Sequence, residues 1–290
     1  MKLLLILSLI SNLGAVSLHD YAQGKPLPLF TATKGIVMPN HIDQTNNLGQ
    51  GDKALLLSGK GLTDLTGISR LQVLDGPSPV PITSIRRLHL FLNRNQITQI
   101  PNEFAALDNV VFLYFEHNQL SNLPPALLDM DALEGMYFTA NRFTAIPAFV
   151  FDMVRLKKLQ FSLNRITQLP PAIGNLTELR HFNMANNLIP EIPATIANLT
   201  RLRVCDLSSN PIASLPESFG KVQIVNQLRV RNTRLTSLPE GFATMRATID
   251  ITGSGIDPAK LSPLLRARIG TEKPPGSKEE DKIIVRKPAK

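Results

Sequence analysis

The stretch LQFSLNRITQLP at residues 159–170 decides the fold, because its pattern returns 23 residues later as FNMANNLIPEIP at residues 182–193. Both follow L-x-L-x-x-N-x-L-x-x-L-P, with other apolar residues standing in for Leu. The pattern occurs in seven copies whose Asn positions are 23 residues apart. Thr233 takes the place of the Asn in the seventh copy. The other six copies carry Asn95, Asn118, Asn141, Asn164, Asn187 and Asn210. A period of this length indicates a repeat architecture.

Each copy predicts one strand, one turn and one return segment. Apolar residues five and three positions before the Asn alternate with other residues, which is the period of a strand with one buried face. The Asn amide can pair with backbone groups of the turn, so the six Asn are predicted to form a buried hydrogen-bonded ladder. After the Pro, apolar residues nine and twelve positions beyond the Asn predict a short helix or 3₁₀ turn. One copy cannot bury these residues alone, so neighbouring copies must stack.

These columns resemble those of the leucine-rich-repeat (LRR) proteins, over about residues 54–260. The resemblance implies an α/β fold, namely a right-handed LRR solenoid (horseshoe) with a concave parallel β-sheet and a convex side of short helices or 3₁₀ turns. It implies binding of a protein partner and does not identify that partner, because LRR arrays serve many unrelated functions.

The two ends of the repeat array are irregular. Residues 66–87 fit the pattern poorly and predict a degenerate coil or an interrupting loop, and Ser254 takes the Asn position of a last shortened coil. The tail is rich in Pro, Lys and Glu and is expected to be disordered, with docking through residues 283–285 as the alternative. The predicted division is a signal peptide at 1–17, an irregular N-terminal region at 18–53, the solenoid at 54–260, a C-terminal cap at 261–270 and a disordered tail at 271–290.

The N-terminus has the features of a secretion signal. Lys2 gives a positive start, residues 3–10 are apolar, and Ala15 and Ser17 are small residues that favour cleavage after Ser17. The apolar run is too short to span a bilayer, and no Cys follows it, so we expect neither a transmembrane segment nor a lipoprotein anchor. An uncleaved anchor and a buried N-terminal strand are the alternatives.

Cysteine usage favours a bacterial secreted or periplasmic protein. The single Cys, Cys205, occupies an apolar column of the repeat, so no intramolecular disulfide can form. A signal peptide without disulfides favours a bacterial secreted or envelope protein over a eukaryotic ectodomain.

Composition and motifs argue against catalysis and against nucleic-acid binding. The formal net charge is +8, but basic residues are spread along the whole chain, and no Lys/Arg block interleaves with aromatic residues. No catalytic or phosphate-binding motif is present, and the five His are scattered, so we expect no enzyme activity, no cofactor and no metal. His89 and His181 are both expected on the sheet surface, about 20 Å apart, which is too far to share a metal.

The candidate binding residues lie six, four and two positions before each Asn. They alternate with the two buried apolar residues five and three positions before it. They line the sheet face opposite to the core, called the outer face below, which is the concave face of an LRR solenoid. Its large rings gather on the first three regular copies: Phe91, Phe112, Tyr114 and Tyr137. Gly135 is expected to leave an open spot beside the rings, and Arg229 and Arg231 are expected to form a basic patch further along.

The four rings and the two arginines suggest a non-catalytic recognition scaffold, expected to be a monomer. Exposed aromatic clusters are preferred anchors of protein interfaces, so we predict a protein partner bound on the rings. The alternative for the rings is that neighbours stack and stabilise the sheet. The alternatives for the function are a secreted adhesin or host-directed effector, or an intracellular LRR signalling scaffold if the N-terminus is not a signal.

Overall fold

The computed structural model describes residues 16–18, 22, 27–31, 51–75, 77–222, 224, 226–267 and 283–284. The chain divides into two compact units, Met1–Asn141 and Arg142–Lys290. Within each unit the regular coils have the same order, a strand, a turn at the Asn, a 3₁₀ turn and the next parallel strand. This order is that of an LRR solenoid, and it confirms the predicted fold class.

The first unit is built on parallel strands with an irregular N-terminal side. Its described strands are β1 Val16–Ser17, β2 Leu27–Thr31, β3 Lys53–Leu56, β4 Leu62–Asp64, β5 Gln72–Leu74, β6 Pro79–Pro81, β7 Leu88–Phe91, β8 Val110–Tyr114 and β9 Gly135–Tyr137. Strands β3, β7, β8 and β9 pair in parallel in that order, and β2 runs antiparallel to β3 on the other side. Its 3₁₀ turns are Ile68–Arg70, Ile82–Ser84, Asn102–Ala106 and Pro125–Asp129.

Residues 66–87 form a hairpin excursion rather than a regular coil. Strands β5 and β6 pair antiparallel, with Val73 opposite Val80, and one 3₁₀ turn lies on each side of them. The next coil fixes both turns. Glu103 Oε1 accepts a hydrogen bond from the Ile68 N–H at 2.8 Å, and Asn109 Nδ2 donates to the Ile82 carbonyl at 2.9 Å. The excursion therefore interrupts the repeat without opening its core.

The second unit is the more regular one. Its described strands are β10 Lys158–Gln160, β11 His181–Asn183, β12 Val204–Asp206, β13 Gln227–Arg229, β14 Thr248–Asp250 and β15 Ile283–Ile284. All pair in parallel, and from β10 to β13 the register partners are 23 residues apart, as Leu159 is from Phe182. Its 3₁₀ turns are Ala148–Asp152, Pro171–Asn175, Ala194–Asn198, Glu217–Lys221, Glu240–Thr244 and Pro258–Lys260, and an α-helix spans Pro263–Arg266.

The 3₁₀ turns after each Pro close the core of every regular coil. Phe104 in the first unit and Ile173 in the second each donate their N–H to the carbonyl of the Pro three residues earlier, at 3.1 and 3.0 Å. Their side chains are fully buried against the strand layer, as are Leu107 and Leu176 three residues later. Burial of such a side chain contributes about 1.5–3 kcal/mol, so the core of each coil is held by several contributions of this size.

The six Asn are buried, and their amides bridge consecutive coils. Asn187 Oδ1 accepts the Ile166 N–H of the preceding coil at 2.9 Å. Its Nδ2 donates to the carbonyls of Phe161 in the preceding coil, at 2.9 Å, and of Met184 in its own coil, at 3.0 Å. In the seventh copy only the bond within the coil has an equivalent, because Thr233 Oγ1 donates to the Val230 carbonyl, three residues earlier, at 2.8 Å.

The residue before each Asn position has left-handed backbone geometry. These residues are Arg94, His117, Ala140, Leu163, Asn186, Ser209 and Asn232, with φ between 51° and 57°. A non-Gly residue there costs about 1–2 kcal/mol. The Asn side chain that follows offsets this cost, because it pairs with backbone groups of the turn.

The described ends of the chain add to the sheets. Val16–Ser17 pairs with Leu62–Asp64, and cleavage after Ser17 would remove this strand. The rest of the predicted signal peptide lies outside the described residues. Ile283–Ile284 pairs in parallel with β14, so these two residues differ from the disordered tail that composition predicts; the rest of residues 271–290 is also outside the described part. None of the helices that the structure describes has the length and apolar composition of a membrane-spanning segment.

Candidate functional site

The four rings predicted to bind a partner lie together on the outer face of the first unit, but they are buried. Phe91, Phe112, Tyr114 and Tyr137 are each at most 4% exposed. Tyr114 stacks on Phe91 at 4.1 Å between ring centroids and on Tyr137 at 4.6 Å. With Ala54 and Val111 they form a hydrophobic cluster, against which Leu56 and Ala132 pack. The expectation of an exposed aromatic surface is corrected here, because these rings hide each other's faces in a second core.

Gly135 does not leave an open spot beside the rings. The Phe112 ring lies over it, so close that a Cβ on Gly135 would be 2.3 Å from Phe112 Cδ1. The other side of Phe112 stacks on His89, with 4.6 Å between centroids. Gly135 thus provides the space that the ring occupies. Substitution of Tyr114 or Tyr137 by Ala would open a cavity in this cluster, so it is not a clean test of binding.

A buried polar network accompanies the aromatic cluster. His89 is fully buried, and its Nε2 lies 2.9 Å from Asp52 Oδ2, while its Nδ1 lies 3.3 Å from the Tyr114 hydroxyl. Arg87 Nε donates to Asp52 Oδ1 at 2.8 Å, and Arg87 Nη1 lies 3.5 Å from Glu134 Oε1. A carboxylate only accepts, so Nε2 of the neutral imidazole donates to Asp52 and Nδ1 accepts from Tyr114.

Burial keeps His89 uncharged at neutral pH. Desolvation lowers its pKa from 6.5 to about 4 and outweighs the Asp52 carboxylate, which raises the pKa. An Asp–His–Tyr arrangement can move protons in an open site, but this imidazole is fully buried. The network therefore fixes Asp52, which lies outside the regular repeat, to strands β7 and β8.

Acid is expected to destabilise the protein through His89. Between pH 6.5 and about 4 the unfolded imidazole binds a proton that the folded one does not, so stability falls as pH falls through this window. A shift of this size corresponds to about 3 kcal/mol between pH 7 and pH 4. Urea unfolding of the wild-type protein and of His89→Gln across this range measures the effect. The wild-type protein should lose about 3 kcal/mol more than the variant; parallel pH profiles would contradict the assignment.

The single Cys and the side chains that can bind metal ions are the other groups with reactive chemistry. Cys205 is fully buried in a core column, and desolvation, followed by the Asp206 charge, raises the pKa of its thiol well above the usual value. Within the described ranges, no three His, Cys, Asp or Glu side chains gather closely enough to hold a metal ion.

The outer face of the second unit is polar and partly accessible. It carries two rows of half-buried side chains across the strands: Lys158, His181, Val204, Gln227 and Thr248, and Gln160, Asn183, Asp206, Arg229 and Asp250. This face therefore presents hydrogen-bonding groups where the first unit presents buried rings.

Arg229 and Arg231 lie on this face, as predicted, but the guanidinium group of each faces an aspartate. Arg229 Nη1 is 3.4 Å from Asp206 Oδ2, and Arg231 Nε is 3.7 Å from Asp250 Oδ2. Their side chains remain 36% and 49% exposed. The expected basic patch is thus balanced by two carboxylates, which hold the guanidinium groups in place.

Three other basic residues of the second unit share one column of the repeat and were not predicted from the sequence. Lys157, Arg180 and Arg203 occupy the position seven residues before the Asn in three consecutive copies. The signal was available in the alignment of the copies, since the same column holds Leu88, Val111 and Glu134 earlier in the chain. Strand alternation points to the columns six, four and two positions before the Asn, and the seventh lies just before them.

The coils of both units, with their strand, Asn turn and 3₁₀ turn, define a leucine-rich-repeat solenoid. Residues 154–212 match the family described as leucine rich repeat. No curated protein matches the chain at a significant level. The chain therefore has the fold of the leucine-rich-repeat proteins and is similar in sequence to their family over residues 154–212, and its partner stays open.

The solved structures that match this chain include two receptors and an internalin. The LRR ectodomain of the plant membrane receptor kinase GASSHO1/SCHENGEN3 from Arabidopsis thaliana, in complex with Casparian strip integrity factor 2, is 23% identical with a TM-score of 0.55, covering 76% of this chain and 30% of that one. A TDR receptor is 22% identical with a TM-score of 0.58, covering 70% and 35%. An internalin from Listeria monocytogenes is 24% identical with a TM-score of 0.48, covering 68% and 52%. The chain thus spans about half of the internalin and about a third of each receptor.

Proposed function

We propose that this chain is a non-catalytic scaffold that binds a protein partner through the outer face of its second unit. The observation that carries the proposal is the Arg229–Asp206 and Arg231–Asp250 arrangement, in which partly exposed guanidinium groups are already held in position. Groups that are ordered before binding lose less conformational entropy on binding, which favours affinity.

The aspartates are themselves fixed by the backbone. Asp206 Oδ1 accepts the Ser208 N–H at 3.0 Å, and Asp250 Oδ1 accepts the Thr252 N–H at 3.0 Å. Each aspartate therefore holds the turn that follows its own strand and faces an arginine of the neighbouring coil. An arginine placed this way can offer its remaining N–H groups to a partner's carbonyl or carboxylate oxygens.

The proposed location is the bacterial envelope or the medium, on the basis of Lys2, the apolar run at 3–10 and the cleavage pattern ending at Ser17. A secreted adhesin or host-directed effector would share this location. A mature chain beginning at Leu18, found by mass spectrometry of the envelope fraction, would support export. An intact Met1 in the cytosol would favour an intracellular signalling scaffold instead.

Photo-cross-linking tests the binding face. A photoreactive amino acid at Asn183, on the outer face, should capture a discrete partner in cells of the source organism, whereas the same group at Glu217, on the 3₁₀ layer, should not. Arg229→Gln with Arg231→Gln should then weaken binding of the purified partner about tenfold, since each contact of a partly exposed charged group is worth roughly 0.2–1 kcal/mol and two are lost.

The control removes the same charge from the other side of the coils. Lys221→Gln with Lys260→Gln changes two exposed cations of the 3₁₀ turns and should alter affinity less than about twofold. Equal losses in both double variants, or capture from Glu217 alone, would contradict the proposed face.

A further inference from the structure

The far edge of β14 in the second unit is covered by a short strand from the C-terminal tail. Ile249 and Asp250 of β14 pair in parallel with the tail strand Ile283–Ile284, whereas on the other side all three residues of β14 pair with β13. Residues 268–282 connect the tail strand to the helix Pro263–Arg266 and Ala267. The pairing at this edge is therefore brief, and the strand that makes it comes from beyond the C-terminal cap.

The backbone of β14 directs hydrogen-bonding groups to this edge. The Thr248 N–H donates to the Asn226 carbonyl at 3.1 Å, and the Asp250 carbonyl accepts the Val230 N–H at 2.9 Å, so both residues bind toward β13. Backbone groups of a paired strand alternate in direction from one residue to the next, so the N–H and the carbonyl of Ile249 point to the opposite edge. An edge of this kind is a template for an added strand.

The C-terminal cap closes the core of the last coil. Leu261 and Leu265 are 5% and 1% exposed. Ser262 Oγ donates to Glu240 Oε2 in the preceding 3₁₀ turn at 2.9 Å, and it also accepts the Leu265 N–H at 3.3 Å. Loss of the tail strand would therefore free backbone groups of β14 without removing the cap.

The last strand of the first unit, β6, is protected in a different way. Its residues Pro79 and Pro81 have no N–H and cannot donate to a further strand. Residues 248–252 contain no Pro, so the edge of β14 has no such block in its sequence. One strand is thus blocked permanently, whereas the other is covered by a strand that can leave.

The sequence around the tail strand has the charge order that suits β14. Acidic residues at 279–281 precede the strand and basic residues at 286–287 follow it. Arg246 precedes β14, and Asp250, which also faces Arg231, ends it. A segment that runs parallel to β14, with acids before and cations after its apolar residues, therefore matches these charges.

We infer that the edge of β14 is a second docking site, separate from the outer face, for an extended segment of a partner protein. That segment has two or three consecutive β-branched apolar residues, with acids before them and cations after them. The tail strand Ile283–Ile284 covers the edge in the isolated chain, and the partner's segment displaces it. Backbone hydrogen bonds to Ile249 supply affinity, as in other proteins that accept an added strand.

The test uses the full chain and a fluorescein-labelled peptide of residues 279–288, which has the chemistry of the proposed segment. Ile283→Pro with Ile284→Pro removes the N–H groups that the tail strand needs for pairing. A flexible linker holds a tethered segment at an effective concentration of about 1 mM. Fluorescence anisotropy should therefore give a Kd of about 0.1 mM for the double-proline chain and about tenfold weaker binding for the wild-type chain.

Matched controls separate pairing from other effects of proline. Glu272→Pro with Lys273→Pro changes the tail outside the strand, and this chain should bind the peptide as weakly as the wild-type chain does. The same peptide with Pro in place of Ile284 should bind neither chain. Hydrogen exchange of residues 248–252 in the Ile283→Pro/Ile284→Pro chain should slow when the peptide is added, whereas that of residues 204–206 should not change.

Three outcomes overturn the inference. Equal affinity of the peptide for the wild-type and Ile283→Pro/Ile284→Pro chains would mean that the tail does not cover the site. No binding to the double-proline chain at about 1 mM peptide would mean that the edge accepts no strand in trans. A wild-type dimer in sedimentation that Ile283→Pro with Ile284→Pro abolishes would mean that the occupant is the tail of a second copy. Cross-linking at Asn183 is independent of all three, so the outer face is judged separately.

Discussion

Asn187→Leu is expected to lower the free energy of unfolding by about 3 kcal/mol, because it leaves a buried backbone donor without its acceptor. The Ile166 N–H donates to Asn187 Oδ1 at 2.9 Å. The carbonyls of Phe161 and Met184, which also accept from Asn187, keep another donor. Phe161 accepts from Asn164 Nδ2 and Met184 accepts from Asn210 Nδ2, each within 3.0 Å. The ladder thus shares its acceptors between consecutive Asn, and the unshared donor carries most of the loss.

Urea unfolding followed by circular dichroism measures this change. Asn175→Leu is the matched control, because Asn175 is exposed at the end of a 3₁₀ turn, and its replacement should change stability by less than about 0.5 kcal/mol. Asn187→Thr should fall between the two, since Thr233 shows that a hydroxyl keeps the bond to the carbonyl three residues earlier. A loss for Asn187→Leu no larger than that of the control would show that the ladder does not stabilise the repeat.

Gly135→Ala is expected to lower the free energy of unfolding by about 2–3 kcal/mol, because the added Cβ would clash with the Phe112 ring. The distances from such a Cβ to Phe112 Cδ1 and Cε1 are 2.3 and 2.5 Å. The ring is 4% exposed and stacks on His89, so it cannot turn away without disturbing the neighbouring stack. The same unfolding experiment reports the loss.

A double-mutant cycle isolates the cause. Phe112→Ala alone should cost about 3–5 kcal/mol through the cavity it leaves. In that background Gly135→Ala should cost almost nothing, so the two substitutions should be coupled by about 2 kcal/mol. Additive losses would mean that Gly135 matters for another reason, such as the backbone of β9.

Much of the fold could be predicted from the sequence because every regular coil uses the same short-range pattern. The core columns that include Leu159 and Ile173 are buried where their spacing predicts, and the 3₁₀ turns follow each Pro. For residues 66–87 the sequence predicts a degenerate coil or an interrupting loop, but not the antiparallel hairpin, since a Pro-rich stretch gives no alternation from which to predict pairing. The sequence does not predict the strand Ile283–Ile284 either, because the three consecutive apolar residues at 283–285 are too few in a polar tail to indicate a strand.

The candidate site was predicted less well than the fold. Alternation placed Phe91, Phe112, Tyr114 and Tyr137 on the outer face, and they do lie on that side of the sheet, but it could not tell that they are covered. The partners of Arg229 and Arg231 come from strands one coil away on either side, a distance in sequence at which composition alone suggests no pairing.

The sequence by itself therefore determined the repeating coil, the Asn positions and the side of the sheet on which each residue lies. These follow from periods of two and 23 residues, which bonding within a coil and between adjacent coils enforces. Only the tertiary structure decided which parts of the outer face are accessible. That depends on what packs over the sheet, as with the ring over Gly135, and on residues outside the repeat such as Asp52, whose contact with His89 joins positions 37 residues apart.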